Sequence, residues 1–102
     1  MDSGVFATHP PMFTNVDEPY QPHNAYRCPC CHFKTLHERG GFEICPVCFW
    51  EDDGQDDHDA DRVRGGPNGL LSLTQARANF LQYKNCEAGP SKYVREPRED
   101  EL

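Results

Sequence analysis

Residues 28–48 read Cys-Pro-Cys-Cys-His-Phe-Lys-Thr-Leu-His-Glu-Arg-Gly-Gly-Phe-Glu-Ile-Cys-Pro-Val-Cys, with one Cys-Pro-x-Cys at each end, Cys28 to Cys31 and Cys45 to Cys48. Four thiolates in two such pairs make a closed tetrahedral site for Zn²⁺, each sulfur about 2.3 Å from the metal. All-sulfur ligation selects zinc first, with iron in a rubredoxin-like site as the runner-up. The ligand set read from the spacing is Cys28, Cys31, Cys45 and Cys48. Cys30 is a third sulfur for two places in the first pair, and the same matched spacing makes it the spare. Its plain role is a small apolar filler, and its sharper role a reactive thiol beside the metal. Cys86 is read as filler too, and His32 as an imidazole not needed by a shell that four cysteines complete.

The rest of the chain explains why such a staple is needed. In 102 residues the apolar content is 36%, with nine prolines and eight glycines, so one modest domain is all the length allows. For a core this small, burial and chain entropy nearly cancel. A disulfide framework is the rival use of six cysteines. No charged segment followed by an apolar run opens the chain, so a reduced, cytoplasmic setting and metal binding are the preferred reading. No 18-residue apolar stretch is present to span a membrane.

The formal net charge is −7. Four bound thiolates around one Zn²⁺ would deepen it to about −9, a field that repels phosphate backbones. Nucleic acid is therefore disfavoured, although Arg27, Lys34 and Arg39 outnumber Glu38 and Glu43 around the cysteines.

Between the two pairs, residues 33–38 carry β-formers, Arg39-Gly40-Gly41 reads as a turn, and Phe42-Glu43-Ile44 alternates apolar and polar. The expectation is a hairpin of 33–38 against 42–44, joining two metal knuckles. Phe49-Trp50 is expected in the core beside the metal. Seven acids then fall between Glu51 and Asp61, read as a solvated charged loop and the surface for a basic protein partner. Gly65-Gly66-Pro67-Asn68-Gly69 is a turn. Ser72 with Gln75 three residues on matches a capping box opening a helix from Leu73 to about Lys84. Its apolar face is expected to be Leu73, Ala76, Phe80 and Tyr83. The domain is placed at 26–90, with 91–102 an extended or frayed tail. Residues 1–25 hold Pro10, Pro11, Pro19 and Pro22, show no period, and read as an extended or disordered arm. Phe6, Met12 and Phe13 are its only packing candidates, and His9 and His23 are read as solvated.

Three chemistries fit less well. A thiol–disulfide oxidoreductase needs its reactive cysteine at a helix N-terminus, and strand and turn follow Cys31 here. Asp57-x-Asp59-x-Asp61 begins like a calcium loop but has Arg62 where Gly belongs and Asn68 where Glu belongs. Asp57-His58-Asp59 faintly resembles a His-Asn-His nuclease centre, yet no histidine follows His58. No catalytic residue is assigned, and the reading leans against an enzyme.

Cys28-Pro29-Cys30-Cys31, Cys45-Pro46-Val47-Cys48-Phe49-Trp50-Glu51-Asp52-Asp53-Gly54-Gln55 and Gly65 to Gly69 with Ser72-Leu73 occur in this order. Over about residues 26–97, including the helix at Ala76 to Phe80, the chain resembles the cysteine-rich CPCC family of small bacterial proteins. One departure is His32, where the family pattern has Gly. The resemblance implies a zinc-ribbon-like domain and no particular activity. Together these readings give a small α+β fold: a zinc-ribbon or rubredoxin-like hairpin unit with two metal knuckles, one C-terminal packing helix and extended termini. A structural zinc domain acting through a protein partner is the leading function. A thiol redox protein or metal hydrolase, and a rubredoxin-like electron carrier, are the alternatives.

Overall fold

The structure is a computed structural model that describes residues 26–102. The arm at residues 1–25, with Phe6, Met12, Phe13, His9 and His23, lies outside the described residues. Strands β1 (Tyr26–Arg27) and β2 (Lys34–Leu36) form a two-stranded antiparallel sheet, and one α-helix, α1 (Leu73–Tyr83), follows after short 3-10 turns at Asp57–Asp59 and Gly66–Asn68. This is the small α+β arrangement expected, but the strand pairing differs.

Each Cys-Pro-x-Cys is itself the turn of a hairpin. Cys28 N–H donates to Phe33 O (2.9 Å) and His32 N–H to Cys28 O (2.8 Å). The second copy repeats this: Cys45 N–H to Trp50 O (2.9 Å) and Phe49 N–H to Cys45 O (2.8 Å). So β2 pairs with β1 across the first knuckle, and Ile44 bridges Glu51 across the second. The expected pairing of 33–38 with 42–44 does not form. The knuckle closes its own ladder within six residues, and each flanking segment is taken by its own return strand. Arg39-Gly40-Gly41 instead links the two units.

The acidic run is the larger correction. Asp52, Asp53 and Asp56 are buried, with Gln55 and Ala60 between and after them. The Arg39 side chain, 2% exposed, enters this segment: Nε donates to Asp52 Oδ2 at 3.0 Å and Nη1 to Asp56 Oδ2 at 2.8 Å. Its Nη2 reaches Gln55 O at 3.0 Å, and Gly40 N–H donates to Asp52 Oδ2 at 2.6 Å. Burial works against the guanidinium's charge, but the hydrogen bonds it donates to two carboxylates outweigh that and raise its pKa. Density of like charge on paper became an internal ion cluster because one arginine faces two acids. Asp57 and Asp61 stay at the surface, and even they are engaged, by Arg77 and Thr74.

Ser72 caps α1 through Oγ, which accepts from Gln75 N–H at 3.0 Å. The Gln75 side chain turns to Asn79 Oδ1 (2.9 Å) instead of completing the box. Leu73, Ala76 and Asn79 are the buried face; Phe80 packs at its margin and Tyr83 is exposed. Asn79 replaces an apolar side chain because its amide donates to Cys86 O at 2.9 Å. Lys84 ends the helix in the left-handed region.

The C-terminal segment is anchored, not frayed. Tyr93 stacks on Phe49 (centroids 5.4 Å apart), and Arg95 N–H donates to Pro46 O. Glu101, 1% exposed, accepts from Arg95 at 2.8 and 2.9 Å and from Arg98 N–H at 2.8 Å. Arg27 Nη1 donates to Leu102 O, so the two ends of the described chain adjoin. The core between these layers is Leu36, Val47, Trp50, Ala60, Leu73 and Ala76 with all six cysteines.

Removing one member of a buried ion cluster strands the others. Arg39→Met is therefore expected to destabilise the folded chain by about 3–5 kcal/mol, read as a shift in denaturant midpoint at unchanged slope. Hydrogen bonds from Arg95 hold the Glu101 carboxyl below its ordinary value of 4.5. A depressed carboxyl stabilises the fold above its unfolded pKa and stops doing so as pH falls through its folded pKa. Glu101→Gln should thus open a stability gap from wild type that is full at pH 7 and closes on acidification below about 4.5. A gap independent of pH would count against the pairing.

Candidate metal centre

The two knuckles face each other and bring Cys28, Cys31, Cys45 and Cys48 together, their sulfurs all within 4.8 Å of one another. Cys28 Sγ lies 3.6 Å from Cys48 Sγ, and Cys31 Sγ 3.7 Å from Cys45 Sγ. A tetrahedron with sulfur about 2.3 Å from its centre has edges of about 3.8 Å. A disulfide would bring two sulfurs to about 2.05 Å, and all six cysteines are free. The donor set and its spacing fit one tetrahedral ion. Among the described residues no other group of three or more His, Cys, Asp or Glu side chains converges in this way.

Electrostatics points to the same requirement. Burial pushes the Cys28 and Cys48 thiols well up. Cys31 also rises, its hydrogen bond to Cys28 outweighed by those to Cys45 and Cys48 and by burial. Cys45 alone is driven down, by hydrogen bonds from Cys28, Cys31 and Cys48, with Thr35 adding to them. Burial and mutual repulsion therefore oppose ionisation of the cluster as a whole. Four thiolates in this space require a cation among them.

Local sequence explains the geometry. In both knuckles the residue after the second cysteine is left-handed, His32 at φ 68° and Phe49 at φ 74°. That conformation turns the chain so that its N–H meets the carbonyl of the first cysteine. Thr35, 1% exposed on β2, places Oγ1 3.0 Å from Cys45 Sγ, and Val47 N–H approaches the same sulfur at 3.4 Å. These two contacts to sulfur were not read from the sequence, although a threonine inside a run of β-formers next to a knuckle is where such a donor would sit.

Cys30 is 3% exposed and contacts Cys48, so it is a fifth sulfur at the edge of the cluster and not a member of it. Cys86 is 2% exposed; its N–H donates to Cys48 O at 2.8 Å, and burial pushes its thiol up to about 12. Both occupy the core as small side chains. Trp50 is fully buried beside the knuckle. Asp57, His58 and Asp59 form an exposed turn in which Asp57 pairs with Arg77 and Asp59 with Arg64. Among the described residues no second imidazole joins them in a metal-binding group. After Cys31 comes a turn and then β2, so no helix N-terminus activates that cysteine.

Residues 26–101 match the family model described as cysteine-rich CPCC, a span that covers most of the chain. No curated protein and no solved structure matches the chain.

The two left-handed positions respond oppositely to glycine. His32 is exposed, and a β-carbon in this conformation costs roughly 1–2 kcal/mol, only partly offset by the extra freedom glycine has when unfolded. His32→Gly is expected to stabilise the metal-loaded protein by about 0.5–1 kcal/mol. Phe49→Gly should destabilise it, because the ring stacks on Tyr93. Denaturant titration of both variants checks the two signs.

Proposed function

The chain belongs to the cysteine-rich CPCC family, and from that premise we propose that it is a zinc-binding domain of the zinc-ribbon kind, acting through contact with a protein partner. Cys28, Cys31, Cys45 and Cys48 would hold one structural Zn²⁺. The observation that carries this reading is the convergence of four sulfurs within 4.8 Å of one another, with two separations of 3.6 and 3.7 Å that match the edge of a zinc–thiolate tetrahedron. The same tetrahedron accommodates iron, which stays the runner-up; zinc leads because closed four-thiolate sites are the common structural type. Bound zinc would supply a fixed dication that joins the two knuckles, and no open coordination position is needed for that.

A partner of protein class is supported by large apolar side chains left in solvent, Leu70 at 91% and Leu81 at 80% exposed. With Asp52, Asp53 and Asp56 committed internally, the acidic run offers a basic partner only its outer members. No described helix is long and apolar enough to cross a membrane. Free thiols at all six positions support a reducing compartment, which we take to be the cytoplasm.

Elemental analysis of the purified chain should find one zinc per molecule. Cys28→Ser or Cys45→Ser should lower that occupancy, whereas Cys30→Ser and Cys86→Ala should keep it at one. Stripping the metal with a strong chelator should abolish cooperative unfolding, as expected when binding energy is folding energy. A metal-free chain that still unfolds cooperatively sinks the proposal, and a coloured, iron-loaded one transfers the site to the runner-up.

A further inference from the structure

We propose that the four sulfurs are unequal, and that the Cys31 corner is a port through which a small anionic thiol takes the ion while Cys45 holds it longest. This rests on the zinc reading above. Cys28, Cys45 and Cys48 are 0% exposed and Cys31 is 8% exposed. Of the four, only Cys31 borders the cavity of about 460 Å³ that Cys30, His32, Arg77, Leu81 and Lys84 also line.

The hydrogen bonds divide the sulfurs in the same sense. Cys45 Sγ has the Thr35 hydroxyl at 3.0 Å and Val47 N–H at 3.4 Å, donors that stabilise a thiolate. Among the described residues, Cys31 Sγ meets only the other sulfurs. Cys28 and Cys48 likewise meet only sulfurs, but they are fully buried. Cys31 is followed by His32, left-handed like Phe49 after Cys48 but exposed, so the sulfur nearest solvent also has the less covered turn beside it.

Lining chemistry selects the incoming ligand. Cys30 adds a soft donor to the wall, and Lys84 and Arg77 add cationic side chains, Arg77 already paired with Asp57. A thiol carrying carboxylates and small enough for the cavity matches both features. In the exchange a bond from the ion to the incoming sulfur forms as the bond to Cys31 breaks. The proton given up by the incoming thiol passes to the Cys31 sulfur, so no oxidant or reductant is needed.

The test is zinc release from the loaded full-length chain, with glutathione as the incoming thiol and a chromogenic chelator as reporter. Leu81 is exposed on the outer side of α1, so Leu81→Trp narrows the cavity without touching the core; it should slow glutathione-driven release severalfold at unchanged zinc stoichiometry. Thr35→Val should speed release about fivefold, the worth of one hydrogen bond of about 1 kcal/mol, and Thr35→Ser should restore the wild-type rate. Lys84→Glu should shrink the advantage of glutathione over neutral 2-mercaptoethanol. An unchanged rate in Leu81→Trp overturns the port whatever Thr35→Val does, and an unchanged rate in Thr35→Val overturns the hold at Cys45. A chain that carries no metal at all fails the zinc reading instead, so the two failures are distinguishable.

Discussion

Four sulfurs crowded into a dry space repel one another as anions, and that repulsion is the constraint from which the rest of this protein follows. Burial opposes their ionisation as well. A cation among them would turn that repulsion into cohesion, and residues 26–102 bury only six apolar side chains besides the six cysteines. The apolar remainder is arranged as a jacket around the sulfurs. Trp50 and Val47 come from the second knuckle, Leu36 from β2, and Leu73 and Ala76 from α1.

Repetition within the chain is deeper than the cysteine spacing. Residues 28–33 and 45–50 share backbone hydrogen bonds and a left-handed fifth position. That position holds His in one copy and Phe in the other. Phe49 is compensated by its stack on Tyr93, which ties the C-terminal segment to the second knuckle. His32 has no such ring and stands beside the cavity, so the two halves are alike in backbone and unlike in cover.

The sulfur set, the helix start at Ser72 and the burial of Trp50 were legible because each depends on a local pattern. What escaped depends on pairing over distance. Arg39 looked like part of a surface turn, and nothing near it in sequence shows that Asp52 and Asp56 lie against it; the acidic run therefore read as solvated. Strand partners were misassigned for a related reason. A turn at Gly40 and Gly41 is a strong local signal for a hairpin, whereas the ladder each knuckle closes on itself is visible only once the backbone bonds are known. Asn79 and Glu101 illustrate the same limit, since a polar residue in a core is justified by a partner that composition does not reveal.

Arg27 on the first strand holds the carbonyl of Leu102. The first and last described segments are therefore latched to each other by one long side chain, so β1 is held from outside its own hairpin as well as from within it.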